Sequence, residues 1–129
     1  MSESFNLEII SPDKTIFNSE VDQVTIPSFE GLMTILKNHI SLVTFLRPGF
    51  IEIGLTNKNE SFFVEDGTVE FSQNKLLILT STAINKKDLK EDIREKIIKE
   101  AQDKISKDDV SDKEKYIYSY KISSLEKTN

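Results

Sequence analysis

The 129-residue chain contains no cysteine and no tryptophan. Without cysteine it cannot form a disulfide, supply a thiolate nucleophile or bind zinc or an iron–sulfur cluster through sulfur. It also lacks any apolar run near the roughly 20 residues that cross a bilayer. Its first residues, MSESFNLEII, have neither the basic start nor the apolar stretch of a signal peptide. We therefore expect no membrane-spanning segment and no targeting segment.

Charge is unevenly distributed along the chain. Residues 1–85 carry five Lys or Arg against eleven Asp or Glu, whereas residues 86–129 carry twelve against eleven. An acidic body repels phosphate backbones, so the composition argues against nucleic-acid binding. The abrupt rise in charge density predicts a domain over residues 1–85 and a separate appendage over residues 86–129.

Up to about residue 80, apolar side chains occur at every second position, as in FNLEI, FIEIGL and TVEF. This period is typical of strands with one face in a core and the other in water. Turn-forming segments such as SPDK, TNKNE and SQNK separate the strands. Because one sheet would leave its apolar face wet, the pattern predicts an all-β sandwich of two stacked, mostly antiparallel sheets with eight to ten short strands.

The pattern changes after Asn85, where apolar residues begin to recur every four positions. They are Leu89, Ile93, Ile97, Ala101 and Ile105. This spacing predicts a helix from about residue 86 to 105, with Asn85 as its N-cap and Asp88 completing a variant of the capping box.

A second helix is predicted over about residues 112–126. Ser111 and Glu114 form an S-x-x-E capping box. Tyr116, Tyr118 and Tyr120 alternate with other residues, however, and a strand would fit this spacing as well. The cap and the charge density favour a helical hairpin, which either packs on the sandwich or leaves it to dock on a partner.

The only histidine, His39, is a candidate for catalysis, metal binding or partner contact. A general base needs a nucleophile or a substrate proton within reach, but the chain has no G-x-S-x-G motif and no second histidine. Its scattered glycines form no phosphate-binding loop. The residue composition therefore favours a loop or interface histidine, with no catalytic, cofactor-binding or metal-binding residues.

The segment EDGTVE has two interpretations. Glu65, Asp66 and Glu70 could supply oxygen ligands to a calcium ion. A tight turn between strands is favoured instead, because Asp-Gly is a strong hairpin signal.

Taken together, these features resemble the epsilon subunit of the F-type ATP synthase, of the bacterial type. The most specific match is VDQVTIPSFEGLMTILKNHISLVTFLRPGFIEI, residues 21–53. The matching positions are Glu30, Gly31, Ile35, Leu36, Asn38, His39, Leu46, Pro48 and Gly49. The opening FNLEIISPDKTIFNSEVD and the later FFVEDGTVEF and LLILTSTA extend the resemblance over nearly the whole chain.

The resemblance implies a non-catalytic rotor subunit at the foot of the central stalk, bound to the gamma subunit and the c-subunit ring. It also implies a peripheral position on the cytoplasmic face of the cell (inner) membrane, as part of the complex. In this family the loop with the E-G and N-H or G-H residues faces the polar loops of the c ring. Glu30, Gly31, Asn38 and His39 are therefore expected at the interface. Phe-rich strands such as SFFV are expected to offer an apolar patch to gamma.

The family's C-terminal hairpin can extend along gamma and inhibit ATP hydrolysis, with its basic residues meeting an acidic loop of the beta subunit. Here that implies a regulatory helix with Arg94, Lys96, Lys99 and Lys104. Some members bind ATP through an I/L-D-x-x-R-A motif in the first helix. EDIREK, around Arg94, does not fit this motif, so no nucleotide or other cofactor is expected.

Two other functions compete with this interpretation. One is a β-sandwich protein-binding module with a helical oligomerisation tail. A sugar-binding version is disfavoured, because residues 1–85 contain no tryptophan and all three tyrosines of the chain lie in the tail. The other is a small hydrolase, which is disfavoured because the sequence shows no nucleophile–base pair.

Overall fold

The computed structural model describes residues 3–107 and 109–126. Asp108 and the last three residues of the predicted 86–129 appendage lie outside the described residues, as do the first two residues of the chain. The described strands are β1 (Phe5–Ile10), β2 (Thr15–Val21), β3 (Gln23–Ser28), β4 (Gly31–Ile35), β5 (Leu42–Leu46), β6 (Gly49–Gly54), β7 (Asn59–Val64), β8 (Gly67–Ser72), β9 (Lys75–Leu79) and β10 (Ala83–Asn85). Two helices follow, α1 (Glu91–Ile105) and α2 (Asp112–Glu126).

The strands form two layers that share one hydrogen-bonded path. Its order is β10-β7-β6-β3-β5-β8-β9-β1-β2, with β4 also paired to β3. The step from β3 to β5 consists of a single pair, Ser28 with Leu46, and there the path folds over. The first sheet is then β10, β7, β6, β3 and β4, and the second is β5, β8, β9, β1 and β2. The predicted, mostly antiparallel sandwich is confirmed, with one parallel pair between β1 and β9.

The core lies between the two layers, where every second side chain of a strand points inward. Leu7 and Ile9 on β1 are fully buried, as are Ile51 and Ile53 on β6. The ring of Phe17 on β2 lies 5.8 Å from the ring of Phe62 on β7, centroid to centroid, and joins the layers. The buried cluster comprises Phe5, Leu7, Ile9, Val21, Val24, Ile26, Ile35, Leu46, Ile51, Ile53, Phe62, Val64, Val69, Phe71, Leu76 and Ile78.

Two of the turn segments connect hairpins, and the tight turn predicted at Asp66-Gly67 is present but joins strands that do not pair with each other. TNKNE joins the paired strands β6 and β7, and SQNK joins β8 and β9. In the second turn Gln73 and Asn74 have φ of 50° and 58°, the signature of a type I′ hairpin. The Asp66-Gly67 turn instead leads from β7 in one sheet to β8 in the other. Asp-Gly therefore marks a change of layer here, because β7 and β8 each pair with other strands.

The first helix begins later than the sequence predicts. The Asn85 side chain accepts a hydrogen bond from the Lys87 N–H (2.9 Å) and caps only a single 3-10 turn over Lys86–Asp88. Leu89 then leaves helical geometry at ψ 74° and is buried, and α1 starts at Glu91 with no side-chain cap. The predicted start at residue 86 was wrong because burying Leu89 against the sandwich requires a bend.

The second helix is confirmed as a helix with its predicted cap. Ser111 Oγ accepts from the Glu114 N–H at 3.1 Å, and Glu114 Oε1 accepts from the Ser111 N–H at 3.4 Å. These reciprocal bonds satisfy backbone donors that the first turn leaves free. The alternating tyrosines belong to α2, so the strand interpretation is wrong.

The helical hairpin packs on the outer face of the first sheet. Phe63, Leu89 and Leu125 form a second buried cluster there. Phe62 and Val64, the neighbours of Phe63, point to the opposite side, into the sandwich core. The C-terminal half of β7 is thus buried on both faces. The expectation that SFFV offers an apolar patch to a partner is wrong for this conformation, because α1 and α2 cover Phe63.

Neighbouring phenylalanines on β7 should have separable effects. Phe62→Ala should lower the free energy of unfolding of the sandwich by about 3–5 kcal/mol, because it leaves a cavity between the sheets. Phe63→Ala should mainly loosen the hairpin, because its ring contacts Leu89 and Leu125.

Limited proteolysis measures this difference. Phe63→Ala should speed cleavage within α1 and α2 under conditions in which the sandwich stays intact. Equal cleavage rates in the helices of both variants would contradict this account.

Candidate partner interface

Glu30 and Gly31 lie at the tight turn between β3 and β4. The buried Ser28 hydroxyl donates to the Gly31 carbonyl at 2.6 Å and accepts from the Glu30 N–H at 3.3 Å. Gly31 has φ +119°, a conformation that side chains beyond glycine rarely adopt. The turn is therefore fixed from inside, and it presents the Glu30 side chain to solvent.

Asn38 and His39 lie at the other end of β4, in the loop that leads to β5. Asn38 has φ 68°, and its side chain and N–H bond to Asn74. The half-buried His39 ring packs edge-on against Phe71, with centroids 5.9 Å apart, and its Nδ1 lies 2.8 Å from the Ile40 carbonyl oxygen. Because a carbonyl only accepts, Nδ1 carries a proton and Nε2 remains available to a partner. This arrangement holds a histidine in a loop and does not activate a nucleophile.

The four predicted interface residues thus occupy both ends of one short strand and do not form one cluster. Strand β4 has five residues, which span about 13 Å at roughly 3.3 Å per residue. Exposed apolar side chains lie along and beyond it, with Leu32 at 72% and Ile40 at 78% exposure. We call this surface the β4 strip; it comprises Glu30, Gly31, Leu32, Leu36, Asn38, His39 and Ile40.

A second surface escaped the sequence analysis. On the outer face of the second sheet, Val43 and Phe45 of β5 are 66% and 59% exposed, and Leu79 of β9 is 46% exposed. Strand pairing places Phe45 and Leu79 in one row on either side of Thr68. We call Ile10, Phe29, Val43, Phe45 and Leu79 the apolar face. The sequence signal was present, because LVTFL and KLLIL carry apolar residues on both strand faces.

The apolar face borders a groove of about 1330 Å³ that α2 completes. Its wall on the sandwich side includes Phe29, Phe45 and Leu79, and its wall on the helical side includes Lys113 and Ile117. The groove is wide, since ligand pockets typically have volumes of about 300–1000 Å³. A protein segment fits such an open apolar surface better than a small metabolite does.

Polar contacts near the end of the sandwich hold α2 in place. The Arg47 guanidinium lies over the Tyr120 ring, 4.0 Å from its centroid. Lys121 pairs with Glu65, and the Ser124 hydroxyl donates to the Pro48 carbonyl at 3.4 Å. Together with the buried cluster around Phe63, these contacts define the docked position of the hairpin.

Tyr116 lies one helical turn before Tyr120, and the two hydroxyls are hydrogen-bonded at 2.7 Å. This hydrogen bond is the main reason that the pKa of Tyr116 is raised from its ordinary value of 10.0. The pair extends the contact that Tyr120 makes with Arg47 along α2.

The predicted basic residues of the regulatory helix all lie on α1, but they do not share a face. Lys96, Lys99 and Lys104 are exposed, whereas Arg94 is half-buried. At 3.6 residues per turn, Lys96 and Lys99 are about 60° apart around the helix, and Arg94 points to the far side. Lys104 also approaches the Tyr118 ring of α2, with its Nζ 5.6 Å from the centroid.

The calcium interpretation of EDGTVE finds no support among the described residues, where no three acidic or histidine side chains are grouped to hold a metal. Glu65 pairs with Lys121. Asp66 accepts hydrogen bonds from the Ser81 hydroxyl and N–H, at 2.9 and 3.1 Å, and thereby ties the β7–β8 turn to the β9–β10 loop. Glu70 lies apart on the exposed face of β8.

Neither helix of the described segments combines the length and the apolar character needed to cross a bilayer.

Comparison with known proteins gives a consistent result. The family model described as ATP synthase, Delta/Epsilon chain, beta-sandwich domain matches residues 4–86. The ATP synthase epsilon chain of Pelagibacter ubique is 41% identical over 130 residues, covering 100% of both chains. That of Afipia carboxidovorans is 36% identical over 86 residues, covering 67% of this chain and 63% of the relative.

Solved structures show the same fold. A chain in the cryo-EM structure of the Euglena gracilis mitochondrial ATP synthase, OSCP/F1/c-ring in rotational state 1, aligns with 98% of this chain and 81% of its own length. Its TM-score is 0.81 at 23% identity. A chain in the central stalk/c-ring structure of the Tetrahymena thermophila mitochondrial ATP synthase has a TM-score of 0.70 at 18% identity, covering 98% and 96% of the two chains.

Arg47 should contribute measurably to hairpin docking. Arg47→Ala removes a cation–π contact between the sandwich and α2, so docking should weaken by about 1 kcal/mol. Amide hydrogen exchange of α2 measures the change, and exchange should become faster.

Lys104→Ala is the matched control, because its cation–π contact with Tyr118 lies within the hairpin. It should leave docking unchanged. Equal exchange in the two variants would mean that Arg47 has no special part in docking.

Proposed function

Because this chain belongs to the ATP synthase delta/epsilon chain family, as an epsilon chain and hence a stalk subunit without catalytic function, we propose that it couples the c ring to gamma. In this role it helps to carry torque between proton flow and ATP synthesis. The observation that carries the proposal is that one closely packed sandwich presents two separate exposed surfaces, the apolar face and the β4 strip. A densely packed body transmits force with little deformation.

The apolar face is the proposed contact with gamma. Val43 and Phe45 expose large side chains to solvent, and exposed apolar patches of this kind mark protein interfaces. The groove beside them is wide enough for a segment of a protein partner. The apolar face replaces SFFV as the proposed gamma contact, because Phe63 is buried beneath the hairpin.

The β4 strip is the proposed contact with the c ring. Glu30, Asn38 and His39 offer a carboxylate, an amide and an imidazole, which suit the polar loops of the ring. Leu32 and Ile40 add exposed apolar area between and beside these groups. Because the strip continues beyond both ends of β4, a strand about 13 Å long, it suits the surface of a broad ring better than a cleft.

This assignment places the chain at the cytoplasmic face of the cell (inner) membrane, held there through the complex. Its proposed partners are gamma, the c ring and, transiently, the beta subunit. No nucleic acid and no cofactor is part of the proposal. Membership of the epsilon family favours this role over the alternative, a general protein-binding module with an oligomerisation tail.

The helical hairpin is the proposed regulatory element. We place the boundary between the sandwich domain and the hairpin between residues 85 and 86. Among the described residues, the hairpin's contacts with the sandwich include a small apolar cluster, the Arg47–Tyr120 contact, the Lys121–Glu65 pair and the bond from Ser124. An element with such limited docking can exchange between two positions. When extended, Arg94, Lys96, Lys99 and Lys104 would meet the beta subunit on several sides of α1 and restrain ATP hydrolysis.

Separate variants should divide the two binding functions. Val43→Asp with Phe45→Asp should lower the affinity for purified gamma by about tenfold or more, because charge replaces desolvated apolar contacts. Leu36→Asp, on the β4 strip, is the control and should leave gamma binding intact.

The second half of the test uses the c ring. His39→Ala should keep normal affinity for gamma but bind a gamma–c-ring complex more weakly. If Leu36→Asp lost gamma as severely as the Val43/Phe45 double variant, the assignment of surfaces would be wrong.

Removing residues 86–129 should raise the ATPase activity of the reconstituted enzyme, roughly fivefold or more if the coupling is of ordinary allosteric size. A full-length variant with Lys96→Gln, Lys99→Gln and Lys104→Gln should show a smaller rise, since it retains the hairpin. ATPase rates unchanged by the deletion would exclude the inhibitory role.

A further inference from the structure

Two distant segments are joined by a reciprocal side-chain contact at the end of β4. The Asn38 N–H donates to Asn74 Oδ1 at 2.7 Å, and Asn74 Nδ2 donates to Asn38 Oδ1 at 3.0 Å. Asn38 lies in the β4–β5 loop and Asn74 in the β8–β9 turn, 36 positions along the chain. We call this pair the asparagine clasp.

The clasp fixes a backbone conformation that the loop would otherwise adopt rarely. Asn38 has φ 68° and Asn74 has φ 58°. This left-handed region is unfavourable for residues with a Cβ, although asparagine tolerates it better than most. The bond from the Asn38 N–H also gives a main-chain donor in the loop its acceptor.

The same segment that carries Asn74 also supports the neighbouring His39. Phe71, three residues before Asn74 on β8, packs edge-on against the His39 ring. The His39 N–H donates to the Leu36 carbonyl at 3.1 Å. The loop is therefore held at Asn38, at the His39 ring and at its own turn, and two of these three points come from residues 71–74.

We propose that Asn74 is the positioning residue of the β4–β5 loop and presents Asn38 and His39 to the partner in their binding conformation. This inference rests on the proposed contact between the β4 strip and the c ring, and it adds a residue from outside the strip to that site. Asn74 acts through Asn38 and needs no contact with the partner. A loop that is preorganised loses less conformational entropy on binding.

The test uses Asn74→Gly, which removes the clasp side chain but keeps a residue that adopts positive φ freely. Gln73→Gly is the matched control, because Gln73 has φ 50° in the same turn and an exposed side chain. In the full-length protein, amide exchange at Asn38 should be about tenfold faster or more in Asn74→Gly. The NMR shift of the His39 ring protons should also move away from its Phe71-dependent value. Gln73→Gly should change neither.

The second measurement is the affinity for a purified gamma–c-ring complex. Asn74→Gly should weaken binding, because the loop then loses more conformational entropy when it binds. Gln73→Gly should bind normally.

Three results would overturn the proposal. Unchanged exchange at Asn38 in Asn74→Gly would show that the clasp does not set the loop conformation. Faster exchange with normal affinity, while His39→Ala binds weakly, would show that the partner does not need the clasp. Normal affinity of His39→Ala itself would remove the proposed c-ring contact, and with it the role of Asn74, whatever the exchange data show.

Discussion

Alternation of side chains along a strand is the constraint on which the rest of this structure depends. Each sheet buries one face in the sandwich core and turns the other outward. Here both outward faces carry large apolar residues, whose exposure to water is unfavourable. The first sheet covers Phe63 with its own helices, while the second leaves Val43 and Phe45 exposed. The helical hairpin thus covers the outward face of the first sheet, and we propose that another subunit covers that of the second.

In the proposed function, the helical hairpin covers the first sheet only part of the time. Phe63, Leu89 and Leu125 form a small buried cluster, and the other contacts between hairpin and sandwich, such as those from Arg47 to Tyr120 and from Ser124 to Pro48, are polar. Ion pairs and hydrogen bonds in such positions contribute little net free energy, because water replaces them readily. If the hairpin leaves, Phe63 becomes a new exposed apolar side chain on the first sheet. The position of the hairpin therefore sets how much apolar surface the first sheet exposes.

The polar groups of the proposed site lie on two loops whose conformation is held by internal contacts. The β3–β4 turn is held by the buried Ser28 hydroxyl, and the β4–β5 loop is held by Asn74 and Phe71. Both supports come from well-packed strands or their hairpin turns, so the exposed Glu30 and the half-buried His39 lie on a fixed backbone. This is what a force-bearing contact requires, since a mobile loop would yield before the sandwich did.

The sequence by itself determined the sandwich, its mixed-charge helical tail, the capped second helix and the family, because periodicity, capping residues and the E-G, N-H and P-G signatures are local. It misplaced the start of α1, since only packing demands that Leu89 be buried. It predicted the tight turn at Asp66-Gly67 but not the change of layer there, since local turn chemistry does not specify which sheet receives the next strand. Tertiary structure alone decided that Phe63 lies beneath a helix, that Phe45 and Leu79 share a face and that Asn74 reaches Asn38. Such pairs are distant in sequence, and their proximity arises only when the two layers close.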